Sequence, residues 1–184
     1  AVVICTLSMG EDPHLMAHYT EVFMVSLGKY VRNYFPIFLL GAIFGKMLED
    51  SGSADAISGF ITSKLGSNMA ILSVVLSCSL FTYGGVSLFV VAFAIYPIGA
   101  KLFKEVEIPK RILPGAIALG AFTYTMTAIP GSPQIQNAIP MKYFGTDAFA
   151  APVLGIIATV IMFGLGMAWL SFRAKVAKQK GEGY

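Results

Sequence analysis

The sequence predicts an all-α, polytopic membrane protein with a re-entrant helical hairpin and a discontinuous transmembrane helix. Three observations predict it. First, the 184 residues are 56% apolar and only 12% charged, with mean hydropathy +0.73. A soluble domain carries roughly a quarter charged residues. Second, the charges are gathered into islands: none occurs from Asn68 to Ala100 or from Ala148 to Phe172. Such gaps are long enough to enter a bilayer. Third, two apolar stretches are interrupted by residues that break helices, at Thr82-Tyr83-Gly84-Gly85 and at "TAIPGSPQIQNAIP", residues 127–140.

The net charge of +3 is modest and reads as membrane orientation rather than nucleic-acid binding. Cys5 and Cys78 both sit in apolar sequence, so no disulfide framework is implied. The chain opens on Ala-Val-Val-Ile-Cys-Thr-Leu-Ser-Met, without a basic n-region. That reads as the end of a span already begun and not as a signal peptide, so a truncated start is expected.

Three regions follow. Residues 1–67 hold N-terminal membrane segments and an interfacial helix. Residues 68–147 form a transport-type unit with the hairpin and the broken helix. Residues 148–184 hold a transmembrane helix and a basic cytoplasmic tail.

Residues 10–21 read as a polar loop with two histidines and several acids. Residues 34–50 read as a membrane helix, with Pro36 near its start, where proline is tolerated. Lys46, Glu49 and Asp50 close it. In 54–66, Ala54, Ile57, Phe60, Ile61 and Leu65 recur at helical spacing, with Asp55, Ser58, Thr62 and Lys64 elsewhere. That pattern fits an amphipathic interfacial helix, and equally an ordinary linker helix.

Residues 69–81 and 86–100 form two apolar arms around Gly84-Gly85. At ~1.5 Å per residue each reaches roughly 20–22 Å, short of the ~30 Å hydrocarbon core. Two short arms around a glycine pair predict a re-entrant hairpin with its tip near mid-bilayer. One continuous span with a flexible glycine pair is the alternative. Non-helical backbone at that depth survives only when buried in protein or lining a wet cavity.

Lys101, Lys104, Lys110 and Arg111 mark 101–111 as a basic loop, against Glu105 and Glu107. Residues 112–129 read as a half-span, 130–137 as the opening, and 138–147 as a second short piece. Residues 153–172 read as a full span ending near Trp169, followed by Arg173, Lys175, Lys178 and Lys180. Lys/Arg excess places both basic segments in the cytoplasm, which requires an even number of crossings between them. A broken crossing and a full one give two.

An interrupted membrane helix frees carbonyls on one side of the break and N–H groups on the other, and its ends carry partial charge. Transporters use such ends to hold an anionic group and a coupling cation. The opening adds Ser132, Gln134, Gln136 and Asn137, preceded by Thr123, Thr125 and Thr127; the hairpin tip adds Thr82, Tyr83 and Ser87. Phe81-Thr82-Tyr83-Gly84 is faintly echoed by Phe122-Thr123-Tyr124-Thr125. The plainer reading is that these residues cap broken helices and pack small surfaces together. No nucleophile set, phosphate loop or cysteine pair suggests an enzyme. His14 and His18, at i and i+4, lack the rest of a zinc motif, so neither a metal nor a cofactor is expected.

"FPIFLLGAIFGKMLEDSGSADAI" (35–57), "TYGGVSLFVVAFAIYPI" (82–98), "ALGAFTYTMTAIPGSPQIQNAIP" (118–140) and "YFGT" (143–146) together resemble the gluconate permease family of the ion-transporter superfamily. The resemblance covers about residues 33–172. It implies a proton-coupled symporter of gluconate or a related small hydroxy-carboxylate, in the bacterial cytoplasmic membrane. It implies two inverted repeats, each with a re-entrant hairpin and a discontinuous helix, and often a homodimer with an elevator-like transport domain. Only one hairpin and one broken helix are present, so the chain resembles one half of such a carrier, and the second half is a missing partner. The substrate-binding positions implied are Thr82, Gly84, Gly85, Ser87, Thr127, Gly131, Ser132, Gln134, Gln136 and Asn137, with Tyr83, Val86, Pro130 and Pro133 in the same motifs.

The coupling ion, proton or sodium, is not fixed by these residues; Glu49 and Asp50 are the nearest acidic candidates, at a membrane end. An ion channel or a non-transporting membrane subunit is the competing class. The orientation argument gives a first prediction. Lys104→Cys and Lys178→Cys, placed singly in the full-length protein, should be labelled from the same side of the membrane by an impermeant thiol reagent; labelling from opposite sides would overturn the two-crossing count.

Overall fold

The chain's outward faces carry many large apolar side chains. Phe93 is 81% exposed and Val153 70% exposed, and long rows of leucine, isoleucine and phenylalanine accompany them. Such continuous apolar surface suits a lipid or protein environment and not water. The computed structural model of the chain describes residues 15–66 and 69–184, and within them every regular element is helical. Residues 1–14, with Cys5, His14 and the expected end of an earlier span, lie outside the described residues.

Two units are distinguished, 1–40 and 41–184. In the first, α1 (Leu15–Ala17) leads through a π-helical stretch (His18–Met24) into α2 (Val25–Asp50). Residues 15–21 are therefore helical, where a polar loop was expected. The reason is aromatic spacing: Tyr19 and Phe23, one turn apart, stack at 5.6 Å, and Tyr30 meets Tyr34 at 5.0 Å. Such pairs support a helix that the polar residues alone would not. Pro36 stands well inside α2 and not near its start. It removes one backbone bond, a loss tolerated in membrane helices, where neighbouring groups re-satisfy the backbone.

The second unit contains the last part of α2, then α3 (Ser53–Leu65), α4 (Ala70–Tyr83), α5 (Leu88–Glu105), a 3₁₀ turn (Lys110–Ile112), α6 (Leu113–Phe122), α7 (Tyr124–Thr127), α8 (Ile135–Phe144) and α9 (Pro152–Gln179). The sequence 69–100 is not one helix: it is interrupted at residues 84–87. The second interrupted stretch differs in detail from expectation. An unforeseen break falls at Thr123 (φ −114°, ψ −111°). Helix then resumes at Ile135, earlier than the expected 138, which puts Gln136 and Asn137 in the first turn of α8. One helix among the described residues, α9, is long and apolar enough to cross a bilayer alone; α4 is apolar but has only 14 residues. Arg173, Lys175 and Lys178 continue α9 and do not form a separate tail.

α4 is the centre of the unit. Ala70, Val75, Cys78 and Thr82 along it are 0% exposed. Lipid tails are as apolar as leucine, so helices in a membrane gain by close contact and not by hiding from water. Glycine permits that contact at three faces. A Cβ on Gly120 of α6 would lie 2.5 Å from the Val75 carbonyl oxygen and 2.6 Å from Cys78 Cβ. On the outer side, one on Gly166 of α9 would lie 2.3 Å from Leu119 Cδ1. Gly41 and Gly45, four residues apart on α2, meet the hairpin: their Cβ positions fall 3.2 Å from the Gly85 oxygen and 2.8 Å from Val90 Cγ1.

The basic segments also meet. Arg111, before α6, pairs with Glu182, after α9, and Lys110 Nζ lies 5.4 Å from the Tyr96 ring centre and 6.0 Å from that of Tyr184. Residues 101–105, expected as loop, are the last turns of α5, and this end of α5, residues 106–111 and the end of α9 share one end of the unit.

Gly120→Ala should lower stability by ~1–3 kcal/mol, because backbone and a core Cβ must move to admit one methyl. Gly164→Ala in α9, where a Cβ would meet nothing within 4 Å, should be near neutral. Thermal unfolding of the full-length protein in detergent measures both.

Candidate functional site

The end of α4 is built by its own backbone. Gly85 sits at φ +92°, in the left-handed region. Its N–H donates to the Thr82 carbonyl at 3.1 Å, and the Val86 N–H donates to the Phe81 carbonyl at 3.1 Å. This pair of reversed bonds is a Schellman stop, and it depends on a residue without a Cβ. Ser87 then opens α5 with extended backbone (ψ 133°), and its hydroxyl does not cap the helix.

The other break is built from proline and glycine. In Ile129-Pro130-Gly131-Ser132, Gly131 has φ +81° and the Ser132 N–H donates to the Ile129 carbonyl at 3.3 Å. Proline second and glycine third is the type II turn pattern. A Cβ on Gly131 would fall 2.8 Å from Phe149 and 3.1 Å from Tyr83 Oη. Two functions therefore converge on this glycine: it turns the chain, and it lets the loop after α8 fold back. Its N–H donates to the Ala148 carbonyl at 2.8 Å.

The two breaks meet. Gln134 Nε2, on a side chain only 9% exposed, donates to the Thr82 carbonyl at 2.7 Å and approaches the Val86 carbonyl at 3.4 Å. Tyr83 Oη donates to the Pro130 carbonyl at 3.3 Å. A Cβ on Gly85 would lie 3.7 Å from Pro133 Cγ. Residues 82–87 and 130–134 thus form one cluster from segments about fifty positions apart.

Within the cluster the sequence-predicted residues divide by what they hold. Ser132, 2% exposed, donates through Oγ to the Thr125 carbonyl at 2.6 Å. Asn137 Nδ2 donates to the Ser132 carbonyl at 2.8 Å and to the Ala148 carbonyl at 3.2 Å. Thr127 Oγ1 bonds back to the Thr123 carbonyl at 3.2 Å. Gly84 ends α4, where a Cβ would crowd the Leu80 and Phe81 carbonyls at 3.2 and 3.3 Å. Ser132, Gln134 and Asn137 therefore brace the irregular backbone.

Others keep capacity. Thr82 Oγ1 is buried with no hydrogen-bond partner among the described residues. Gln136 is exposed at the start of α8. The carbonyl of Gln136 has no N–H four residues on, because that residue is Pro140. The N-terminal ends of α5 and α8 present the positive poles of their helices, and the C-terminal ends of α4 and α7 the negative ones. This set of neutral groups can hold a small ion of either sign without a buried full charge. No group of three or more His, Cys, Asp or Glu residues able to hold a metal occurs among the described residues.

Sequence reasoning missed the network at the Thr123 break. Thr123 Oγ1 donates to the Leu119 carbonyl at 2.6 Å, and Thr125 Oγ1 donates to the Gly120 carbonyl at 2.8 Å. Ser79 Oγ donates to the Val75 carbonyl at 2.7 Å and is hydrogen-bonded to Tyr124 Oη. The recurrence of Phe-Thr-Tyr at 81–83 and 122–124 was the available signal: each copy stands at a helix end.

The GntP family permease model matches residues 4–182 of the chain. The uncharacterized transporter YxjC of Bacillus subtilis (strain 168) is 51% identical over 98% of the chain. The chain spans 39% of the length of that relative. No solved structure gives a significant match.

Removing the brace between the breaks has an ordered outcome. Gln134→Ala should cost ~0.5–1.5 kcal/mol, the net worth of an ordinary hydrogen bond. Gln134→Glu should cost more, because a buried carboxylate would face two carbonyl oxygens. Thermal unfolding of the two variants reads the order; a Glu variant as stable as the parent would contradict this geometry.

Proposed function

We propose, on the premise that the chain belongs to the GntP permease family, that it forms part of a proton-coupled symporter of gluconate or a related small hydroxy-carboxylate in a bacterial cytoplasmic membrane. α4 and α5 are its re-entrant hairpin, and α6–α8 its discontinuous transmembrane helix. The second half of the carrier, in the same polypeptide or another, completes the site and pairs as a homodimer. The observation that carries this reading is the meeting of two helix breaks through Gln134 and the Thr82 carbonyl.

The substrate sits between the hairpin tip and the broken helix, among Thr82, Gly84, Gly85, Ser87, Thr127, Gly131, Ser132, Gln134, Gln136 and Asn137. Its carboxylate takes hydrogen bonds from Ser87 and from N–H groups at the first turns of α5 and α8. The positive helix ends add ~0.3–2 kcal/mol each. Substrate hydroxyls pair with Gln136 and Thr82 Oγ1. Ser132, Gln134 and Asn137 act by holding the backbone in place. Glu49 and Asp50 pair with Lys46, at 3.4 and 2.9 Å, at the C-terminal end of α2. The freed Gln136 carbonyl offers an oxygen to a sodium ion, the other coupling ion in question, and not a site for a proton.

Counterflow of labelled gluconate into liposomes carrying the full-length protein tests the class. Exchange that saturates with substrate is expected; an unsaturable ion current would favour a channel. Ser87→Ala should weaken binding roughly 10- to 150-fold, the loss of one hydrogen bond to a charged group at ~1.5–3 kcal/mol, with no change in melting temperature. Asn137→Ala should weaken binding and also lower the melting temperature, since its amide ties two carbonyls. Parent-like binding by both variants would remove the site assignment.

A further inference from the structure

Away from the two breaks, a cleft of about 200 Å³ opens between the start of α6 and the end of α9, lined by Arg111, Ile112, Gly115, Trp169, Leu170 and Arg173. Its depth in the membrane follows from the sequence. Residues 148–172 carry no charge, and Arg173 is the first cation after them. Twenty helical residues at ~1.5 Å each cover the ~30 Å core. A span that begins at Val153 therefore leaves the hydrocarbon near Phe172. Trp169 marks the interface, as tryptophan does at span ends, and Arg173 reaches the headgroup layer.

The cleft is cationic and shaped. Arg173 lies over the Trp169 ring, 5.9 Å from guanidinium carbon to ring centre. Arg173 has no carboxylate partner among the described residues. Arg111 pairs with Glu182 across an exposed surface, with 58% of the arginine side chain exposed. Such a surface pair is weak, and a guanidinium has donors to spare. Gly115 keeps the floor open: a Cβ there would reach within 3.1 Å of Leu170 Cδ2. The α6 N-terminus adds its positive pole at the same place. A water takes about 30 Å³ in the liquid, so the volume suits a phosphate ester of several heavy atoms.

We infer that this cleft binds a phosphate-ester anion, the headgroup of an anionic phospholipid, with Arg111 and Arg173 as the paired forks and the acyl chains lying along α9. Guanidinium forks suit phosphate oxygens, and basic pockets between membrane helices hold anionic headgroups. The exposed apolar residues of α9 next to it, Leu165 at 68% and Trp169 at 61%, give the chains a surface.

Native mass spectrometry of the full-length protein in detergent, titrated with phosphatidylglycerol or phosphatidylcholine, tests this. The parent should retain phosphatidylglycerol over phosphatidylcholine. Arg173→Gln should weaken that retention roughly 10- to 150-fold, at ~1.5–3 kcal/mol per charged hydrogen bond. Arg173→Lys should lose part of it, since lysine keeps the charge and lacks the fork. Lys178→Gln, outside the cleft, should bind like the parent. A parallel titration with inorganic phosphate separates the sources: displacement of phosphatidylglycerol at millimolar phosphate would assign the same cleft to a soluble phosphate. Equal retention of the two lipids by the parent, or an Arg173→Gln variant that folds and still prefers phosphatidylglycerol, would overturn the inference.

Discussion

A peptide group inside an apolar phase must find a partner, and in this chain that rule is met across two breaks at once. The hydrogen bond from Gln134 Nε2 to the Thr82 carbonyl, at 2.7 Å, joins them. Thr82 O also accepts the Gly85 N–H, so both of its lone pairs are used. Left unmet, each such group would cost several kcal/mol in hydrocarbon. The two breaks therefore support one another. The hairpin tip gives the proline-rich segment its acceptors, and that segment gives the tip a lid.

The helices around the cluster follow from the same rule. Membrane helices without a hydrophobic drive between them must approach closely to gain contact. α4 provides a surface of small residues, Ala70, Ser73, Ser77 and Cys78, all at most 1% exposed. Gly120 presses against it from α6, and Gly41 and Gly45 press on the tip from α2. Of the serines on α4, Ser79 turns its hydroxyl back to the Val75 carbonyl, whereas Ser73 Oγ is buried without a hydrogen-bond partner among the described residues. The cluster of breaks is therefore set in a rigid frame, although it contains little regular structure itself.

How much of this was legible depended on whether the cause was local. Gly84-Gly85 and Pro130-Gly131 announced their breaks because φ +92° and +81° are conformations that glycine adopts without penalty. The charge gaps announced α9. The Thr123 break was hidden, because its cause is hydroxyls taking over carbonyls that N–H groups would otherwise occupy, and a threonine reads the same in either role. Residues 10–21 looked like a loop because three acids and two histidines outnumber the aromatic pair, Tyr19 and Phe23, that supports the helix from residue 15 on. The early start of α8 at Ile135 was also hidden. It depends on Gln134 adopting extended backbone (ψ 151°) while its side chain reaches residue 82, a contact no local pattern encodes. For the candidate site, the residue types were legible and their division of labour was not. Asn137 and Ser132 look alike as ligands in the sequence; in the fold their donors are spent on carbonyls.

Under the proposed function, that division lets the site hold an ion without an ionised side chain. A charge buried at this depth costs several kcal/mol and is retained only with a partner. Helix ends supply partial charges of about half a unit without that cost, provided the backbone is held open. The neutral braces do the holding. Under the proposed function, the positive ends of α5 and α8 face the carboxylate, and the negative end of α4 is left for a cation. Substrate and cation entering together bring less net charge into the bilayer than either alone. Coupling to a sodium ion would in this way be a property of the broken backbone and of the neutral amides that keep it broken, whereas coupling to a proton requires a titratable group beyond this cluster.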